Sequence, residues 1–294
     1  MTRTPFAVTR STLFVPATRP DLVEKVGRSG ADVVVLDLED TVPPPAKAGA
    51  RSALPALIDL LTSLATGTRM VRVNAPDSPW IGADLDALAA GALAGLDGLV
   101  VPKVDGPGSL DQLTKLADRA GLPELPILAG IESAQGVSQV EAIAPRVAAV
   151  YFGAEDFAAD MRGRRTSHNT EVLYARSRVA LAARVAEIPA LDQVFFDVGD
   201  EAGFRREAGA ARDLGYSGKM CLNPRQVRWS NEMWTPTPAE TDWAVRAIAA
   251  YDEVTTRGEG VAFVDGRLID LPVIRLARAV LAAAPRVTTE EQGA

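Results

Sequence analysis

Eight short apolar runs, each followed by a stretch long enough to form a helix, constrain the fold of this 294-residue chain more than any other feature. The first four are TLFVPA at 12–17, VVVLDLED at 33–40, RMVRVN at 69–74 and GLVVPK at 98–103. LPILAGIE at 125–132, AVYFGAED at 149–156, LDQVFFDV at 191–198 and GKMCLNP at 218–224 complete the series. The continuous Val/Leu opening of the second run suits a strand buried on both faces, as parallel sheets require. Residues 19–30, 46–66, 84–94, 108–120 and 137–143 read as helices between the runs. Over 170–188, Val172, Ala175, Val179, Ala182 and Ala186 fall at three- and four-residue steps, the stripe of a helix packed on a sheet. Strands alternating with helices about eight times predict an α/β fold, the (β/α)8 TIM barrel, over residues 1–235. A doubly wound open sheet does not explain charged residues at so many strand ends.

Residues 1–10 read as a loose lead-in, and the three prolines of TVPPPAK at 41–47 forbid regular structure there. Residues 236–294 lie beyond the barrel as a helical and hairpin extension. TPTPAETDWAVRAIAAYDEV at 235–254 opens with a capping box, Thr237 and Glu240, and has Pro238 at the first helical position. Gly258 and Gly260 stop that helix, Asp265-Gly266 marks a hairpin turn between apolar runs, and 273–284 forms a last helix. The tail VTTEEQGA at 287–294 is expected to be disordered.

A net charge of −7 argues against nucleic acid as the main partner, because phosphate binding wants a basic stripe. The N-terminus lacks the apolar core of a signal peptide and no run approaches a membrane span, so a cytoplasmic protein is expected. One cysteine, Cys221, excludes an intramolecular disulfide. One histidine, His168, makes a His-based zinc site or a Ser-His-Asp triad hard to build, and both residues read as incidental. Chemistry must therefore rest on carboxylates, Arg and Lys, with or without a metal.

The carboxylates sit where apolar runs end: Glu132 in ILAGIES at 127–133, and Glu155 and Asp156 in AVYFGAEDFAADM at 149–161. Acids beside apolar runs are costly to desolvate unless a cation meets them. Mg²⁺ suits such a place, since it takes few protein oxygens and leaves the rest of its shell to water and substrate. Glu132 and Asp156 are the expected ligands, while Glu155 reads as the partner of a neighbouring base. Alternation along a strand puts Asp37 and Glu39 on one side and Asp40 on the other. Arg72 and Lys103 stand at the ends of the third and fourth runs, and Arg162, Arg164 and Arg165 read as part of a solvated loop after Asp156 rather than as phosphate contacts.

The order and spacing of these motifs resemble the citrate lyase β-subunit-like CoA-ester lyases of the HpcH/HpaI aldolase superfamily. The likeness is carried by RSTLFVPATRPD at 10–21, VVVLDLEDTV at 33–42, VRVN at 71–74, VVPK at 100–103 and ILAGIESAQGV at 127–137. It continues through YFGAEDF at 151–157, GYSGKMCLNPRQV at 215–227 and VDGRLIDLPV at 264–273. The resemblance implies that Arg72 holds the oxo-acid carboxylate and oxygen, with Glu132 beside it at the substrate. Glu132 and Asp156 bind Mg²⁺, while Asp37, Glu39 and Asp40 form the acidic strand end near the metal's waters. Asp270 is then the acid of a C-terminal lid, 236–294, that reaches over a neighbouring subunit's active site in a homotrimer or hexamer. Asn223 and Leu271 depart from the family pattern, which commonly has His before the proline and a small residue after the lid acid.

On this reading the chain is a Mg²⁺-dependent lyase. It splits a 3-hydroxyacyl-CoA thioester of the citryl-, malyl- or citramalyl-CoA type into acyl-CoA and a 2-oxo acid such as oxaloacetate. Metal and Arg72 stabilise charge that develops on oxygen. Arg72, Asp37, Glu39 and Asp270 are the catalytic candidates, Asp270 as general acid or base once a closed lid excludes water. Two other readings stay open: a metal-free aldolase forming a Schiff base at Lys103, and a non-catalytic subunit that binds an oxo acid.

Overall fold

Asp37 and Arg72 end neighbouring strands and are register partners, and the same parallel pairing passes from strand to strand until the eighth meets the first. The computed structural model describes residues 6, 9–64, 67–91 and 93–284 of the chain. Its chain separates into two units, Met1–Glu232 and Met233–Ala294.

In the first unit the elements run β1 (Ser11–Pro16), α1 (Pro20–Val26), β2 (Val33–Asp37), α2 (Lys47–Leu64), β3 (Thr68–Arg72), α3 (Ile81–Ala89) and β4 (Gly98–Val101). They continue with α4 (Pro107–Ala120), β5 (Ile127–Ile131), α5 (Ala134–Ile143), β6 (Ala149–Phe152), α6 (Ala154–Asp160) and α7 (Leu173–Val185). β7 (Ala190–Asp192), α8 (Glu201–Asp213), β8 (Gly218–Cys221) and the start of α9 (Pro224–Trp234) finish it. The strands form a closed parallel barrel with helices in the connections, the expected (β/α)8 architecture. Every residue of β2 is buried because odd positions fill the barrel and even ones meet the helices.

The barrel's interior holds Val33 and Val35 with Met70, Val100, Leu128, Tyr151, Leu191 and Met220. Outside, α2 buries Leu54, Leu57, Ile58 and Leu61 along one stripe. Each fully buried aliphatic side chain of this kind contributes about 1.5–3 kcal/mol. Leu54 and Leu61 are both wholly buried, and truncation of either to Ala would cost roughly 2–5 kcal/mol. Behind β7 and β8, Arg176 grips Asp192 through two bonds of 2.7 and 2.8 Å, and Lys219 Nζ donates to Asp192 at 2.8 Å and Glu207 at 2.6 Å. Buried charges persist here because each meets an opposite charge with good geometry.

Several expectations need correction. Phe6, assigned to a loose lead-in, lies 5% exposed among the interior residues. Pro44–Ala46 forms a 3₁₀ turn, which suits prolines because it places them where an amide donor is not needed. The seventh run gives only three residues of strand, and Phe196 and Val198 beyond it are exposed. α6, α8 and α9 were not anticipated. The expected disordered tail at 287–294 lies outside the described residues. Among the described residues no helix is long and apolar enough to cross a membrane.

The second unit contains α10 (Pro238–Thr256), the antiparallel pair β9 (Ala262–Val264) and β10 (Arg267–Ile269), and α11 (Leu271–Ala283). The capping box is formed: Thr237 Oγ1 accepts from the Glu240 amide at 3.2 Å while the Glu240 carboxylate accepts from the Thr237 amide at 2.8 Å. Asp265 and Gly266 both have positive φ, 50° and 76°, which the tight turn between β9 and β10 requires. Ala247, Val254, Ala262, Val264, Ile269 and Ile274 make this unit's own small core.

Candidate active site

The inward phase of β2 and β5 runs on past their last strand residues and that of β3 ends in a charged one, and these positions build the site. On β2 the inward positions Val33 and Val35 lead to Asp37 and then Glu39. On β3 Met70 leads to Arg72, and on β5 Leu128 and Gly130 lead to Glu132. All these charged groups come from the C-terminal ends of strands, the face on which such barrels carry their chemistry.

Arg72 is the hub. Its Nε and Nη2 donate to the two Asp37 oxygens at 2.7 Å each, and its Nη1 lies 3.1 Å from the Glu39 carboxylate. The guanidinium stacks over Phe14, 4.9 Å from the ring centre. Asp37 is fully buried and also accepts from the Glu39 amide at 2.9 Å and the Thr41 hydroxyl at 2.5 Å. Burial alone would raise its pKa, but Arg72 and these donors hold it below the ordinary carboxylate value. Asp37 takes the Nε–Nη2 edge of Arg72 and Glu39 faces its Nη1, so a ligand at the outer Nη1–Nη2 edge would share that edge with Glu39. The expectation that Arg72 offers its fork freely to an oxo acid is narrowed accordingly.

Glu39 Oε1 accepts from Lys103 Nζ at 2.5 Å. Burial raises the Glu39 pKa, partly offset by Arg72 and Lys103. Lys103 loses something to burial but gains more from Glu39, so its pKa lies above that of an ordinary lysine. A Schiff-base lysine must be neutral to attack, and this one is held protonated. Lys103 also has φ of 53°, an uncommon backbone state for a residue with a side chain. Asp40, expected to face away, lies with an oxygen 3.5 Å from Lys103 Nζ. Strand alternation no longer governs it, because the chain turns after Glu39, whose carbonyl accepts from the Val42 amide at 3.1 Å.

Glu132 is 5% exposed, and its Oε2 accepts from the Lys103 amide at 3.1 Å. Its burial, countered by Tyr151 and reinforced by the negative charge of Asp156, pushes its pKa up to about 7. Two glycines make the space. A Cβ on Gly153 would fall 2.5 Å from Glu132 Cγ, and one on Gly130 would fall 2.5 Å from the Tyr151 hydroxyl oxygen. Asp156 sits in the first turn of α6 rather than at a strand end, about half exposed, with an oxygen 4.0 Å from Lys103 Nζ. Glu155 on the same turn is paired with Arg165 at 2.8 Å.

Glu132 and Asp156 thus share Lys103 as a neighbour, and the charge of Asp156 adds to the cost of ionising Glu132. A buried carboxyl pushed toward neutrality beside a second, open carboxylate is a donor set that fits a hard divalent cation with much of its shell supplied by water and substrate. Among the described residues no three His, Cys, Asp or Glu side chains converge into a complete metal cage. Asp270 belongs to the second unit, where its carboxylate caps α11 by accepting from the Val273 amide at 3.2 Å. His168 is exposed and Cys221 buried. Sequence reasoning missed Tyr151 and Thr41. Tyr151 was legible as a polar tip inside an otherwise apolar inward phase.

The family model described as HpcH/HpaI aldolase/citrate lyase matches residues 10–224. A citrate lyase subunit beta-like protein of Deinococcus radiodurans is 43% identical over 282 residues, covering 94% of this chain and 98% of the relative. A (3S)-malyl-CoA thioesterase of Cereibacter sphaeroides is 34% identical, with 95% of each chain covered. The crystal structure of the CitE protein of Mycobacterium tuberculosis in complex with magnesium, acetoacetate and coenzyme A superposes with a TM-score of 0.77 at 30% identity, covering 93% of this chain and 97% of that one. With its barrel, its strand-end cluster and this likeness along nearly its whole length, the chain belongs to the HpcH/HpaI aldolase/citrate lyase family.

Proposed function

We propose that the chain is a Mg²⁺-dependent lyase that cleaves a 3-hydroxyacyl-CoA thioester into an acyl-CoA and a 2-oxo acid. The observation that carries this is Glu132, buried beside Asp156 at the mouth of the barrel with its pKa pushed up to about 7. Such a carboxyl is best satisfied by a bound cation, and relatives of this chain are named citrate lyase subunit beta and L-malyl-CoA/beta-methylmalyl-CoA lyase.

Glu132 and Asp156 would hold the ion. When bound, Mg²⁺ supplies Lewis acidity toward the carboxylate and oxygen of the oxo acid. The Nη1–Nη2 edge of Arg72 binds the same oxygens and orients them, and Asp37 fixes the plane of that guanidinium from behind. Lys103 is paired first with Glu39, which leaves the negative charge at Glu132 and Asp156 for the ion. Asp270 is the proposed acid or base for the proton that must move, carried to a neighbouring subunit's site by residues 236–294 in a homotrimer or hexamer.

The protonated state of Lys103 weighs against the Schiff-base aldolase. Malyl-, citramalyl- and citryl-CoA supplied with Mg²⁺ test the lyase reading. Equimolar acyl-CoA and oxo acid support it, release of free CoA would make the enzyme a thioesterase, and binding without turnover would make it a carrier of oxo acids.

A further inference from the structure

The loops after β2, β3 and β4 enclose a pocket of about 280 Å³ that shares Glu39, Asp40 and Lys103 with the cluster just described. Glu39, one of its lining residues, also meets Arg72 Nη1 at 3.1 Å, so a ligand held at Arg72 could extend a substituent toward it. The volume admits a chain of a few atoms and excludes a nucleotide. Hydrocarbon makes most of its walls, from Val42, Pro43, Pro44, Ala75 and Trp80.

Both ammonium groups at this pocket are already engaged. Lys47 Nζ donates to the Leu38 and Glu39 carbonyls at 2.8 and 3.1 Å and to Asn74 Oδ1 at 2.7 Å, and it lies 4.8 Å from the centre of the Trp80 ring. Lys103 Nζ is bound to Glu39 at 2.5 Å and lies 3.5 Å from Asp40. A carboxylate entering here would face Glu39 and Asp40 with both cations committed. Discrimination by such a repulsive element is as effective as an added attraction. The Ser78 hydroxyl, buried among these walls, has no hydrogen-bond partner among the described residues.

We propose that this pocket receives the substituent of the 2-oxo acid and selects a short uncharged carbon chain over a carboxylate. The inference rests on the lyase reading above and deepens it. Ser78 and Trp80 set two of the pocket's walls, and a larger side chain at 78 would fill the space the carbon chain needs.

The test is calorimetric binding of glyoxylate, 2-oxobutyrate and oxaloacetate to the full chain in Mg²⁺ buffer, with the wild type and Ser78→Leu. Glyoxylate has no substituent and reports on the Arg72 and metal site alone. The expected result is 2-oxobutyrate binding at least ten-fold tighter than oxaloacetate to the wild type. In Ser78→Leu, 2-oxobutyrate should lose at least ten-fold while glyoxylate changes less than two-fold, which also shows that the variant is folded. Oxaloacetate binding as tightly as 2-oxobutyrate, or an equal loss for glyoxylate and 2-oxobutyrate, would overturn the proposal. The wild-type ranking decides the matter by itself should the leucine variant fail to fold. Failure of glyoxylate to bind would instead remove the lyase reading, and this inference with it.

Discussion

Asp37 and Arg72 face each other from adjacent strand ends and share two hydrogen bonds of 2.7 Å, with Asp37 wholly buried. Removing one partner of such a pair strands the other's charge in the protein interior. Asp37→Ala is therefore expected to destabilise the fold by about 3–5 kcal/mol, read by urea unfolding. Arg72→Lys keeps the charge but loses the planar fork, so oxo-acid affinity should fall while most stability remains.

Gly153→Ala tests how closely Glu132 is held. The backbone there has φ of −98°, which alanine tolerates, so any effect comes from the added methyl 2.7 Å from Glu132 Oε1. Displacement of that carboxylate should weaken Mg²⁺ binding at least ten-fold in a titration, with an overpacking cost of roughly 1–3 kcal/mol.

Asp270 has a structural duty as the cap of α11, and the proposed acid–base duty can be separated from it. Asn caps as well as Asp, whereas Ala does not, so Asp270→Ala should lose about 1 kcal/mol of stability and Asp270→Asn almost none. If Asp270 moves a proton, Asp270→Asn nonetheless loses most turnover in the acyl-CoA assay.

Asp192 sets an acid limit on stability. Burial opposes its charge, but Lys219 and Arg176 outweigh burial and hold its pKa below the ordinary 3.8. Below 3.8 the unfolded chain therefore takes up a proton that the folded chain refuses. The pair's contribution is fully present above that pH and is lost as pH falls from 3.8 through the folded value. Urea midpoints should drop over that window, and Asp192→Asn, already less stable at pH 7, should show a shallower drop.

Most of the barrel was legible because its strands are buried on both faces and so appear as unbroken apolar runs. The seventh run misled because Phe195 and Phe196 extend its apolar character beyond the strand, although Phe196 is 60% exposed. α8 was hidden because EAGFRREAGAARD buries only Gly203, Phe204, Ala208 and Ala211, one large side chain among three small ones, which makes a weak stripe. Yet Asp200 capping it, bound to the Gly203 amide at 2.8 Å, was a readable start signal. The acids themselves were found because charge at the end of an apolar run is costly, a signal that needs no coordinates. Their pairing was not readable: the hold of Lys103 on Glu39 joins residues 64 apart in sequence, and only barrel closure brings them together.

The most direct measurement is a calorimetric titration of Mg²⁺ into metal-stripped wild type, Glu132→Gln and Asp156→Asn. One ion per chain in the wild type, with affinity reduced at least ten-fold in each variant while both remain folded, is the expected result. Unchanged affinity in both variants, or acyl-CoA cleavage that proceeds undiminished in excess chelator, would contradict the assignment of these two carboxylates to one metal.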